Sequence, residues 1–399
     1  MKIPLSVFLT FFILSTFSCS QANQNQEGEK IILTGADQTN LYLPLLSGKK
    51  VAIVANQTSI IGNTHLVDSL LSLGVDIVKV FGPEHGLRGN AGAGEKVKSA
   101  TDDKTGLPLI SLYGKHKKPT PDDLTGIDMV VFDIQDVGVR FYTYISTMSY
   151  VMEACAENDV EMLVLDRPNP NGFYVDGPLL EPEFSSFVGM HPVPVVYGMT
   201  MGEYAQMVHG EMWLENGAKC DLKIIPLKNY THDSLYELPV RPSPNLPNMD
   251  AIYLYPSLCF FEGTIISVGR GTEIPFQIIG HPEYRDGKTV FTPKSIIGVA
   301  PHPKYEGEVC YGFILKDSVE NPILTEKKLH LSWLIEMHKY FKGNDDFFNI
   351  FFDKLAGTDK LRNQILEGKT EKEIRASWKA DLESFKKIRE KYLLYGDFE

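Results

Sequence analysis

At 399 residues the chain is longer than one average domain, so two domains are expected. Apolar residues make up 43% and charged residues 23%, an ordinary globular balance that excludes a disordered chain. The formal net charge of -12, with no basic stripe interleaved with aromatics, excludes nucleic acid as a partner and disfavours a polybasic contact with anionic lipid.

The chain opens with "MKIPLSVFLTFFILSTFSCSQANQNQEGEK", in which an apolar stretch from Ile3 to Phe17 follows a basic residue. It is too short and one-sided for a membrane span and reads as an export signal over residues 1–19. "STFSC" resembles a loose bacterial lipobox, which would make Cys19 the lipidated first residue and residues 20–30 a polar tether. A cleaved signal with an incidental cysteine is the competing reading. The expectation is an exported, lipid-anchored envelope protein, in the periplasm or on the cell surface, that meets membrane only through its anchor. Cys155, Cys220, Cys259 and Cys310 show no C-x-x-C or metal spacing and read as buried thiols, with pairing left open.

From residue 31 short β-branched runs alternate with helical patterns: "KKVAIVANQT", "HLVDSLLSLG", "VDIVKVFGPEHG", "LPLISLYG", "IDMVVFDIQD", "VEMLVLDRPNP" and "VPVVYG". Continuous apolar runs suit parallel strands covered on both faces, so residues 31–240 read as a Rossmann-like, doubly wound α/β domain. Thr200 and Glu203 have capping-box spacing and start a helix. "RPSPNLPN", Arg241 to Asn248, is a proline-rich break, and residues 241–399 read as a smaller C-terminal α/β domain that completes the cleft. In it "EVCYGFILKD" is strand-like. Ile374, Trp378, Leu382, Phe385, Ile388 and Tyr392 form an apolar stripe behind a Thr370/Glu373 capping box.

Open α/β sheets bind ligands outside the carboxyl ends of their strands. The residues just past the apolar runs are Asn56; Glu84, His85 and Arg88; Asp133, Gln135, Asp136, Arg140 and Tyr142; and Asp166, Arg167 and Asn169. Taken singly, each has a structural explanation as a cap, a turn residue or half of an ion pair. Four successive strands ending this way favour a site, because clustered charges without partners would cost stability.

"GNAGAGEK", Gly89 to Lys96, superficially resembles a phosphate loop but has Glu95 where lysine is required, and "ANQTS" after the first strand is not G-x-G-x-x-G. No nucleotide or other cofactor is expected. The loop reads as a cover over the rim, with Glu95 a minor catalytic candidate. Histidine spacings give no zinc motif, so no metal is expected; a carboxylate site from Glu84 and "DIQD" is the metal-dependent alternative. G-x-S-x-G is absent, which argues against acyl-enzyme chemistry.

Carboxylates remain. Glycoside hydrolysis needs an acid to protonate the leaving oxygen and a second group as nucleophile, base or charge stabiliser. Glu84 suits the first role, with His85 orienting it or relaying the proton. Arg88, Arg140 and Arg167 point either to an anionic substrate or to neutralisation of neighbouring aspartates. "FFEGTIISVGRGTEIPFQIIGHP" adds Glu262, Arg270, Thr272 and Glu273 as a cleft wall from the second half.

Together "GPEHGLRG", "VVFDIQDVGVRFYTY", "LDRPNPNG", "RPSPNLPN" and "EGTIISVGRGTEIPF" resemble the NamZ (YbbC-like) exo-β-N-acetylmuramidases, a glycoside hydrolase family long carried as a domain of unknown function. The likeness runs from about Ile32 to the "YLLY" near the C-terminus. It implies two domains with the site between them, removal of N-acetylmuramic acid from the non-reducing end of peptidoglycan fragments in cell-wall turnover and recycling, and Glu84 as the leading catalytic residue. Peptidoglycan-derived MurNAc-GlcNAc saccharides are then the partners, and the rim arginines would meet the lactyl carboxylate. Asp133, Asp136, Glu95 and Glu262 stay open as the second catalytic group, as does the stereochemical outcome. A non-catalytic lipoprotein that captures muropeptides is the alternative from another class.

Overall fold

The computed structural model describes residues 30–84, 86–89, 100–315 and 322–399. Cys19, His85, Glu95 and nearly all of "GNAGAGEK" lie outside the described residues.

Six strands form a parallel sheet: β1 (Val51–Ala55), β2 (Ile77–Gly82), β3 (Pro108–Ser111), β4 (Met129–Asp133), β5 (Glu161–Leu165) and β6 (Leu222–Ile225). Their order is β3-β2-β1-β4-β5-β6, and the two-residue strand Ala100–Thr101 adds antiparallel to the outer side of β3. This is the doubly wound order, in which the chain starts at the centre, runs outward, and returns to continue on the other side. The reversal lies between β1 and β4. All five residues of both strands are buried, and alternate side chains join different cores. Ala52, Val54, Val130 and Phe132 enter the larger one, whereas Val51, Ile53, Met129 and Val131 enter the other. Burial on both faces is why these strands read as unbroken apolar runs.

"VPVVYG" is not a strand. Val196 makes only isolated bridges to Val139 and Asp176, because Pro194 cannot donate to a ladder and Gly198 turns away at φ 60°. The sixth strand is instead "LKII" of β6, a partly buried edge whose composition is not distinctive.

Helix α1 (Tyr144–Glu157) packs on the sheet, and α2 (Met201–Gly210) starts at the expected Thr200/Glu203 capping box. Arg241 to Asn248 carries no helix or extended strand, and α3 (Met249–Leu258) begins directly after it with Asn248 as its cap. Beyond lie the antiparallel strands β7 (Ile278–His281), β8 (Thr289–Phe291) and β9 (Cys310–Ile314), in the order β7-β9-β8. Helix α4 (Glu371–Arg389) has its Thr370/Glu373 capping box and buries Ile374, Trp378 and Phe385. Residues from Ile32 onward form one compact unit, and Cys155, Cys220, Cys259 and Cys310 are buried free thiols.

Candidate active site

Glu84 stands two residues past β2 in a turn closed by Gly86 N–H donating to Pro83 O at 2.9 Å. The turn brings its carboxylate to the start of α1. Thr143, the residue before that helix, donates its hydroxyl to Glu84 Oε2 at 3.2 Å, and Tyr113, just beyond β3, donates to Oε1 at 3.0 Å. Both oxygens are therefore held, and the positive end of a 14-residue helix faces the carboxylate. Burial, then the Glu84 charge, pushes the Tyr113 phenol well above its usual range, so it stays a donor.

Glu84 lines a cavity of about 80 Å³ with Phe141, Tyr142, Thr143, Tyr144, Ser243, Asn245, Leu246, Tyr255, Arg270 and Phe276. Three segments supply most of its wall. "RFYTY" follows β4, with Tyr142 and Tyr144 edge to face at 4.9 Å; the Tyr142 hydroxyl donates to Pro242 O at 2.8 Å. "RPSPNLPN" supplies Ser243 and Asn245, and the "VGRG" loop supplies Arg270. Asn245 donates to Val299 O at 2.8 Å while its Oδ1 is buried without a partner.

Arg270 also lines a cavity of about 680 Å³ with Glu262, Ile266, Val299, His302, Lys304 and Phe351. Its Nε and Nη2 each donate to Glu262 at 2.8 Å. Of the residues expected from sequence, Glu84, Tyr142, Arg270 and Glu262 are thus brought onto neighbouring walls. Asn56 follows β1 at the switch point, and its Oδ1 accepts from Thr58 N at 2.9 Å.

Most of the other candidates bond within the fold. The Asp133 carboxylate takes Arg167 Nε at 2.5 Å and Nη2 at 2.9 Å, closing the ends of β4 and β5 onto each other with both side chains buried. Gln135 donates to Pro168 O at 2.6 Å and Asn169 to Met199 O at 2.8 Å. Asp136 accepts from Tyr197 at 2.5 Å and Gly138 N at 2.7 Å, and its burial pushes the carboxyl up to about 7. Asp166 accepts from Thr200, Gly202 N and Tyr395. Thr272 turns its hydroxyl onto Gly269 O at 2.6 Å, and Glu273 is exposed.

Of the two readings of the rim arginines, internal pairing is the one the geometry matches. Arg88 is held by Asp68 and Asp102 beside a different cavity of about 390 Å³, Arg140 is fully buried on four backbone carbonyls, and Arg167 is paired with Asp133. Buried charges demand such partners. The "DIQD" carboxylates are likewise engaged, and among the described residues no group of three or more His, Cys, Asp or Glu is placed to hold a metal. The sequence reading missed Tyr113, Thr143, Tyr144, Ser243, Asn245 and Lys304. "RFYTY" and "RPSPNLPN" were visible signals for four of them, and Tyr113 ends the apolar run "LPLISLYG", but Lys304 had no signal.

Family models described as exo-β-N-acetylmuramidase NamZ, N-terminal and C-terminal, match residues 51–250 and 253–395. Over 426 aligned residues the chain is 39% identical to the peptidoglycan β-N-acetylmuramidase NamZ of Bacillus subtilis (strain 168), covering 99% of this chain and 100% of that one. Two crystal structures of DUF1343 family proteins from Bacteroides fragilis are also similar. One has 48% identity and a TM-score of 0.86 over 92% of this chain and 100% of its own; the other has 29% and 0.77 over 91% and 99%. Matched over both halves, the chain belongs to the NamZ family of exo-β-N-acetylmuramidases.

Proposed function

We propose that the protein is a glycoside hydrolase that releases N-acetylmuramic acid from the non-reducing end of peptidoglycan fragments, with Glu84 as general acid/base. The observation that carries this reading is the setting of Glu84, whose two oxygens are held by Tyr113 and Thr143 in a cavity walled by tyrosines. A carboxyl group held in one orientation can deliver its proton to a glycosidic oxygen at hydrogen-bond distance. The amide oxygen of Asn245, left unpaired in the cavity wall, is suited to a sugar hydroxyl or N-acetyl N–H group, since a buried polar atom gains most from a ligand that completes its bonding.

The test uses residues 20–399 with MurNAc-β-1,4-GlcNAc, following both free sugars by mass spectrometry. The wild type should release N-acetylmuramic acid, and Glu84→Gln, which keeps the shape and removes the transferable proton, should lose about 100- to 10,000-fold in kcat. Saturable binding without turnover would favour a muropeptide-capturing protein instead.

Export and anchoring are a second part of the proposal, supported by the lipobox-like "STFSC". Labelled palmitate should enter the full-length chain in its host and be absent from Cys19→Ala. Equal labelling of both would remove the anchor from this account.

A further inference from the structure

N-acetylmuramic acid differs from N-acetylglucosamine by a lactyl ether that ends in a carboxylate, so a protein that selects it needs a cation beside its acid. Arg88, Arg140 and Arg167 are committed to internal partners. We propose that Arg270, in the wall shared by the Glu84 cavity and the larger one, pairs with the lactyl carboxylate and sets the preference for the muramic sugar; this rests on the hydrolase reading above.

The loop is built to present this side chain. Gly269 and Gly271 flank Arg270 at φ 74° and 81°, and a Cβ at either would lie 2.3 Å from Ile278 Cγ2 or 2.5 Å from Lys294 O. Only glycine allows both the left-handed backbone and the close approach. The guanidinium rests over the Phe276 ring, 5.0 Å from its centroid, and is about a quarter exposed. Glu262 takes one proton from Nε and one from Nη2. A guanidinium has five N–H donors, so Nη1 stays outside this fork and can meet a second carboxylate.

The charge balance agrees. Besides His302, the ionisable groups lining the larger cavity among the described residues are Arg270, Lys304 and Glu262, an excess of one fixed positive charge in a chain of net charge -12. Lys304 is turned onto the carbonyls of Thr264 and Ile266, so it adds field without its own fork. The cavity at Glu84, about 80 Å³, is much smaller than the neighbouring one of about 680 Å³. It admits an edge of the sugar, and a substrate that offers its scissile bond to Glu84 passes Arg270, which lines both spaces.

The experiment measures binding of N-acetylmuramic acid and of its methyl ester by calorimetry, to residues 20–399. The ratio of the two affinities is read within each variant, so general damage cancels. The wild type should favour the acid by roughly 10- to 100-fold, the range for hydrogen bonds to charged groups. The double variant Glu262→Gln, Arg270→Gln removes the guanidinium without leaving Glu262 buried and unpaired, and its ratio should fall to near one. Arg270→Lys, which keeps the charge and loses the fork, should give an intermediate ratio. A wild type that does not discriminate, or a ratio unchanged in either variant, overturns the assignment. Turnover of the disaccharide is scored separately. A collapsed ratio in a chain that never cleaves would sink the hydrolase reading and leave the carboxylate site standing, whereas cleavage with unchanged ratios would sink Arg270 alone.

Discussion

Arg140 is fully buried, yet its guanidinium meets carbonyls alone: Pro178 O, Val193 O, Leu355 O and Ala356 O, at 2.6 to 3.0 Å. Burial lowers its pKa to about 9, which still leaves a cation at neutral pH. Two of these acceptors are the last carbonyls of the short helix Phe351–Ala356, where a positive charge is favoured. Gly357 ends that helix at φ 74°, and a Cβ there would lie 2.6 Å from Arg140 Nη2. The clamped guanidinium has nowhere to retreat. Gly357→Ala should therefore cost about 1 to 2 kcal/mol for the left-handed backbone, and at least as much again for disturbed bonds to a charged group. A urea titration should show a loss of about 2 to 4 kcal/mol. A loss under about 0.5 kcal/mol would mean that the site relaxes freely.

At the scale of elements, legibility followed burial. β1 and β4 are buried at every position and stood out in the sequence, whereas β6 sits half-covered at an edge and did not. "VPVVYG" misled because a buried loop can be as apolar as a strand, and only Pro194 hinted otherwise. The strand ends were located well, but sequence does not say which way a polar side chain turns. Asp133 and Arg167, on adjacent strand ends, close on each other, and Asn169 and Gln135 lace the loops behind them. What reached the cavity came from one segment further on, "RFYTY" and "RPSPNLPN", both visible only as an aromatic cluster and a break. Glu84 was legible because its turn is local, between Gly82 and Gly86. Arg270 was legible as a residue between two glycines, but its cavity depends on loops that meet from across the chain.

For the whole molecule, two buried aspartates and two histidines carry large and opposing shifts that bear on how stability depends on pH. Desolvation raises Asp136 to about 7 and Asp166 to about 6, and it lowers His65 and His191 to about 4. Between about pH 4 and 6 the folded chain holds protons on the two aspartates that the unfolded chain has released, which favours folding at the acid end. Over the same window the unfolded chain protonates two histidines that the fold keeps neutral, which favours folding at the alkaline end. The slopes oppose and largely cancel. Above about pH 6.5 the two histidines are neutral in both states, and of these four groups Asp136 alone still binds a proton in the fold. The Asp136 contribution to stability should then fall as pH rises toward 7, by at most about 1.4 kcal/mol per unit, and level off. Asp136→Asn isolates this group, since an amide oxygen can keep the Tyr197 and Gly138 hydrogen bonds without a charge to bury. Urea midpoints at pH 5, 6.5 and 8 should show the variant gaining on the wild type as pH rises, on the order of 2 kcal/mol by pH 8. Below pH 6, where the histidines no longer have two aspartates opposing them, its stability should climb with pH. Parallel curves for the two chains would mean that Asp136 is already ionised in the fold, and that its unpaired Oδ1 meets a cation or water in solution.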